Sequence, residues 1–304
     1  MSNTILAIIE LERFPQEVAN RAAWIAQHYG CNLQLVFSDP TLGFLRDSFM
    51  ISADSKQIAD SIKQAQQEML EDLSASVATP GLTVSTSIIH DRPACDAIIA
   101  QALEFEPTFV VKGTAYHSPA ERATFTFTDW QLIRKLNYPL WLVKPREWKE
   151  NPVIVAAVDP MHRYDKTGVL EQAIISIGKT LASKCDGKLL LFHTYQRLVE
   201  IGAYAKLRFK PTKVPIDEIE EKMRNEHRRH LDSLAAKNEI SPDAIHQLPG
   251  RTAEILPTFV RAHGADLVIM GATARTGLKR RIIGSTAEQV MDHLPCDILI
   301  ARGD

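Results

Sequence analysis

Chemistry in this chain concentrates in one segment, Gly271-Ala-Thr-Ala-Arg-Thr-Gly277-Leu-Lys-Arg-Arg-Ile-Ile-Gly284-Ser285-Thr286, which follows the apolar run Leu267 to Met270. Gly271 lets the backbone turn sharply out of a strand. Gly284, Ser285 and Thr286 set unpaired N–H groups and two hydroxyls at the start of the helical stretch Ala287 to His293, an arrangement suited to phosphate oxygens. Arg275 and Lys279-Arg280-Arg281 add positive charge nearby. The segment is neither a G-x-x-x-x-G-K-[ST] P-loop nor a G-x-G-x-x-G dinucleotide turn. A helix-capping turn accounts for Gly284-Ser285 equally well, so both readings stand on these residues alone.

The elements that would position this segment repeat along the chain. Thr4-Ile-Leu-Ala-Ile-Ile-Glu10 corresponds to Pro152-Val-Ile-Val-Ala-Ala-Val-Asp159. A shift of 158 lays Phe109-Val-Val-Lys-Gly113 on Leu267-Val-Ile-Met-Gly271 and, without a gap, Leu140-Trp-Leu-Val143 on Ile298-Leu-Ile-Ala301. Identities are few, so the apolar pattern carries the duplication. Each half reads as five short strands rich in β-branched residues alternating with helices, the mark of a parallel sheet covered on both faces. The strands fall at Ile5 to Ile9, Leu33 to Phe37, Val84 to Ile89, Phe109 to Val111 and Leu140 to Val143, then at Val153 to Val158, Leu189 to Phe192, Ala244 to Leu248, Leu267 to Met270 and Ile298 to Ile300. Pro15 opens the first helix, and Ile58, Ile62, Ala65, Met69 and Leu73 give the second an apolar stripe. Pro145 to Pro152 reads as the linker, dividing the chain into domains 1–146 and 151–304.

Composition excludes several classes. The 304 residues suit two domains; they are 45% hydrophobic and carry a net charge of −2, so nothing in bulk calls for nucleic acid or anionic lipid. No run of 18 apolar residues and no signal peptide is expected. Cys31, Cys95, Cys185 and Cys296 lack C-x-x-C spacing and read as buried free thiols in a reducing, cytoplasmic setting.

The segment after Leu267 to Met270 resembles the universal stress protein family, whose nucleotide-binding members carry G-x-x-G, nine residues, then G-[ST] after the fourth strand. Here Gly271-x-x-Ala274 precedes Gly284-Ser285 by that interval, and the strings Phe125 to Lys135 and Gly284 to His293 resemble the tandem-domain type. The resemblance implies two tandem adenine-nucleotide α-hydrolase-like domains. It implies an acidic residue facing adenosine at Asp159 and backbone contacts to adenine at Phe192 and His193. Gly271, Ala274, Gly284, Ser285 and Thr286 match the phosphate-binding positions, with Met270 and Arg275 flanking them as further candidate contacts. Ala274 departs from the family's glycine, which tightens the loop. The first half departs further: Tyr116 sits in its loop, Thr126-Phe127 replaces the Gly-Ser turn, and Glu10 stands in place of Asp159. Nucleotide binding is therefore expected only in domain 2.

The resemblance further implies fifth strands that pair, Leu140 to Val143 with Ile298 to Ala301, making one chain a pseudo-dimer; a homo-oligomer is left open. The function it implies is survival under stress, DNA damage included, through binding a phosphorylated small ligand such as ATP, with no required cofactor and no enzymatic reaction. Alternatives are a module for a larger nucleotide-linked lipid or metabolite, motivated by apolar residues in Ser38 to Ser55, and a weak ATP hydrolase. No catalytic set or metal site stands out. His90-Asp91-Arg92-Pro93 reads as a loop entering a helix or as polar groups for a ligand, His227 and His230 as part of a solvated basic helix face, and Asp129, Trp130 and Trp148 as packing positions.

Overall fold

The computed structural model describes residues 3–39, 53–91, 93–114, 128–161, 168–197, 216–272 and 290–303. They form two compact units, the first taking in the described residues up to Glu147 together with Asp297–Ile300, the second the remainder.

In the first unit the chain runs β1 (Thr4–Ile9), α1 (Pro15–Tyr29), β2 (Asn32–Ser38), α2 (Ala53–Val77), β3 (Val84–Ile89), α3 (Ala94–Phe105), β4 (Phe109–Gly113), α4 (Thr128–Lys135) and β5 (Leu140–Val143). The five strands are parallel in the order β3-β2-β1-β4-β5. Strands β1, β4 and β5 are buried almost throughout, because helices cover parallel sheets on both faces. Helix α1 packs beside α2, and α3 beside α4; right-handed crossovers send the two pairs to opposite faces. Pro15 does open α1, and Gly30 ends it in the left-handed conformation that a side chain would strain.

The face that α2 buries differs from the predicted stripe. Ala59, Gln66, Leu70, Leu73 and Val77 are buried, whereas Ile58 is 57% exposed. The helix is turned so that Gln66 Nε2 donates to Asp39 Oδ2 at 2.6 Å, a constraint that apolar spacing cannot reveal.

Strand β10 (Asp297–Arg302) enters the first unit through Asp297–Ile300, antiparallel to β5, with Leu299 opposite Trp141. Asp297 is buried and fully engaged. Its carboxylate ion-pairs with Arg21 of α1 at 2.9 Å and accepts from Trp141 Nε1 and from the Lys144 backbone N–H, each at 3.0 Å. Arg21 also donates to the Arg146 carbonyl at 2.9 Å.

The second unit contains β6 (Val153–Ala157), α5 (Val169–Lys184), β7 (Lys188–Tyr195), α6 (Ile216–Lys237), β8 (Ile245–Pro249), α7 (Thr252–His263) and β9 (Leu267–Ala272). Strand β6 pairs in parallel with both β7 and β9, and β7 with β8. The least patterned of the predicted strands, near Ala244 to Leu248, is present as β8. Asp266 holds the start of β6: its carboxylate accepts from the Val153 N–H at 2.9 Å, and its own N–H donates to the Val153 carbonyl at 2.8 Å. All four cysteines are buried and free.

Asp297→Ala should cost the chain about 3–5 kcal/mol, because it strands a buried guanidinium and an indole N–H. Leu299→Lys, which puts an ammonium at a fully buried position, should be at least as damaging. Urea unfolding at neutral pH measures both, and a loss below about 1 kcal/mol for either would show that this contact is replaceable.

Candidate functional site

In an open parallel sheet, ligands bind beyond the carboxyl ends of the strands where the strand order reverses. In the second unit β6 lies between β7 and β9, so the reversal falls between the ends of β6 and β9. Asp159 follows β6 and Gly271 lies within β9, one residue from its end, which brings these two sequence candidates to the same crevice. Asp159 is partly exposed, and its Oδ1 accepts from the Met161 N–H at 3.3 Å. Met270, directly before Gly271, is buried. A side chain on Gly271 would displace the Leu170 side chain in the first turn of α5, so the glycine lets helix and strand pack closely here.

Phe192 and His193 also reach this end of the sheet, though β7 continues past them to Tyr195. Phe192 packs against Phe259 of α7, with ring centroids 4.8 Å apart, and its carbonyl accepts from the Val158 N–H at 3.0 Å. His193 is buried, with Nδ1 3.0 Å from the Val158 carbonyl and Nε2 2.8 Å from Nδ1 of His227 on α6. A carbonyl only accepts, so His193 Nδ1 carries a proton, and one hydrogen is shared between His193 Nε2 and His227 Nδ1. The relay ties α6 to the residue just before Asp159.

His227 is therefore not part of a solvated face: it is 2% exposed, while His230, three residues on, is exposed. A partner 34 residues away in sequence, His193, decides its burial. Trp130 and Asp129 are buried, and Trp148 is partly exposed. In the first unit His90 Nδ1 lies 3.3 Å from the Asp39 carbonyl, and Pro93 precedes α3 without a side-chain cap. Ala274, Arg275, Gly284, Ser285 and Thr286 lie outside the described residues, as do Arg92, Tyr116, Thr126 and Phe127. Among the described residues no cluster of three or more His, Cys, Asp or Glu is placed to hold a metal ion.

The sequence reading missed the counterpart crevice of the first unit, between β1 and β4. There Lys112 is buried against Glu10 at 2.6 Å and Asp129 at 2.7 Å. Thr114 donates to the other Asp129 oxygen at 2.8 Å. A lysine inside the otherwise apolar Phe109-Val-Val-Lys-Gly113 was the available signal, since a strand buried on both faces admits an ammonium only when it is paired.

The Universal stress protein family model matches residues 1–144 and again 152–302. The chain belongs to the universal stress protein family. It is similar over its whole length to Universal stress protein E of Escherichia coli strain K12, at 24% identity and covering 95% of that protein. Among solved structures it resembles a putative universal stress protein from Pseudomonas aeruginosa UCBPP-PA14, with a TM-score of 0.69 at 22% identity, covering 100% of this chain and 94% of the other. A universal stress protein from Archaeoglobus fulgidus superposes with a TM-score of 0.64 at 15% identity, covering 100% and 98%. These likenesses establish the tandem α/β fold. Among the described residues no helix is long and apolar enough to cross a membrane.

Two outcomes follow for the second unit. His227→Leu removes the hydrogen-bond partner of His193 Nε2 and should cost about 1–3 kcal/mol, read by urea unfolding, with faster amide exchange at the end of β7. On β8, burial first, and then His263 and Lys188, hold the His246 imidazole below its usual value of 6.5. The unfolded chain therefore takes up this proton before the folded one, so the stability this group contributes is complete above about pH 6.5 and is lost as pH falls from there through the folded value. Replacing His246 by Phe should flatten the stability profile between pH 7 and 5, and an unchanged slope would assign that dependence to other groups.

Proposed function

We propose that the second repeat binds a nucleotide or related phosphorylated ligand, an adenine nucleotide such as ATP being the leading case, and that the chain acts by binding rather than by catalysing a reaction. The observation that carries this reading is the meeting of Asp159 and Gly271 at the strand-order reversal of the second unit, with Gly284-Ser285-Thr286 following in the same half of the sequence. An acidic side chain at one lip suits ribose hydroxyls, and backbone N–H groups at a Gly-Ser-Thr turn suit phosphate oxygens. The name of the Escherichia coli relative, Universal stress protein E, supports a stress-response setting for the proposed binding; a cytoplasmic location and a part in surviving DNA damage belong to the same proposal.

Calorimetric titration of the full chain with ATP tests it, with one site per chain expected. Gly284→Val should abolish binding by blocking access to the backbone N–H groups. Ser285→Ala should weaken it by about 1 kcal/mol, roughly fivefold in Kd. Parent-like binding by both variants would show that Gly284-Ser285 is a structural turn, and absence of binding by the parent protein would remove the reading.

A further inference from the structure

The two strand-end crevices have different occupants. In the first unit Lys112 Nζ lies 2.6 Å from Glu10 Oε2, 2.7 Å from Asp129 Oδ1 and 3.1 Å from the Gly113 carbonyl oxygen. An ammonium has three N–H donors, and these three acceptors use all of them. Thr114 fixes the second Asp129 oxygen at 2.8 Å. The loop after β1 is pressed onto the same spot: the Arg13 carbonyl sits against Gly113 so closely that no side chain fits there. Phe14, the next residue, takes the left-handed conformation with φ 56°, unusual for a bulky residue and tolerated only where the surroundings impose it.

We propose that Lys112 is the resident cation of the first unit's crevice, an internal ammonium that makes this crevice a cation receptor and closes it to phosphorylated ligands. The contrast with the second unit rests on the function proposed above. There the residue matched to Lys112 is Met270, and the acid matched to Glu10 is Asp159, which accepts from a backbone N–H. A phosphate entering the first unit would meet two carboxylates, and the ammonium has no N–H left to offer it. Arg21, the buried cation on the adjoining α1, is committed to Asp297. Burial works against the charged lysine, yet Asp129 and Glu10 outweigh it and hold the proton more tightly than usual, so the ammonium stays charged across the physiological range.

Lys112→Ala in the full chain removes a propylammonium-sized piece and leaves the carboxylates. Its melting temperature should fall and should recover with n-propylammonium chloride, but not with tetramethylammonium chloride at equal ionic strength, because the latter has no N–H to donate. Equal effects of the two salts would overturn the proposal. Should Lys112→Ala fail to fold, Lys112→Met and the triple variant Glu10→Gln, Lys112→Met, Asp129→Asn provide the test. The single variant should be the less stable at pH 7, where its carboxylates have lost the ammonium, and a single variant as stable as the parent would overturn the proposal. Photolabelling of the parent protein with an azido-ATP analogue should mark residues 148–303 alone; label within residues 4–114 would contradict closure. No label anywhere would defeat the nucleotide reading of the second unit while leaving ammonium exchange to judge this proposal.

Discussion

Placing the first strand of each repeat beside its fourth constrains everything else in the structure. Helices that carry the chain one way from β1 to β3 and the other way from β4 to β5 must part between β1 and β4, and the same parting occurs between β6 and β9. Strand ends at that gap have no crossover above them, so their terminal groups need partners of another kind. One repeat meets the need internally, with a lysine and two acids. The other presents an aspartate and a glycine at the equivalent place.

Buried polar side chains fix the details that apolar packing leaves free. To apolar packing a buried carboxylate with named donors adds constraints of direction and distance that only one arrangement meets. Asp297 does this for the segment beside β5, Asp266 for the start of β6, and the Gln66–Asp39 pair for the rotation of α2. The His193–His227 contact does it for α6, holding that helix to the residue that precedes Asp159.

Strands were legible in the sequence because short β-branched runs are hard to bury except in a parallel sheet, and β3 and β5 have the bounds the pattern predicts. Asp159 was a candidate through the family resemblance and Gly271 through the segment that follows its apolar run, and both lie at the end of the sheet where the strand order reverses. Helix α2 was misjudged because its stripe was drawn from apolar residues alone, and a buried glutamine turned it. His227 was misjudged because its partner comes from a distant strand. Lys112 passed unnoticed because its two acids come from different elements, the end of β1 and the first turn of α4, and no local pattern joins them.

The first unit is also discontinuous along the chain: Trp141 and Asp297, which share a hydrogen bond, stand 156 residues apart. A ribosome making this protein finishes β5 long before it makes the strand that covers it. During that interval the emerging first repeat carries an uncovered apolar edge and a guanidinium at Arg21 still lacking its carboxylate. Contacts of such long separation form slowly, and exposed strand edges invite wrong pairing. Completion of the first repeat thus waits on a strand made 156 residues after Trp141, and a message truncated between the two would damage the half of the protein that was translated first.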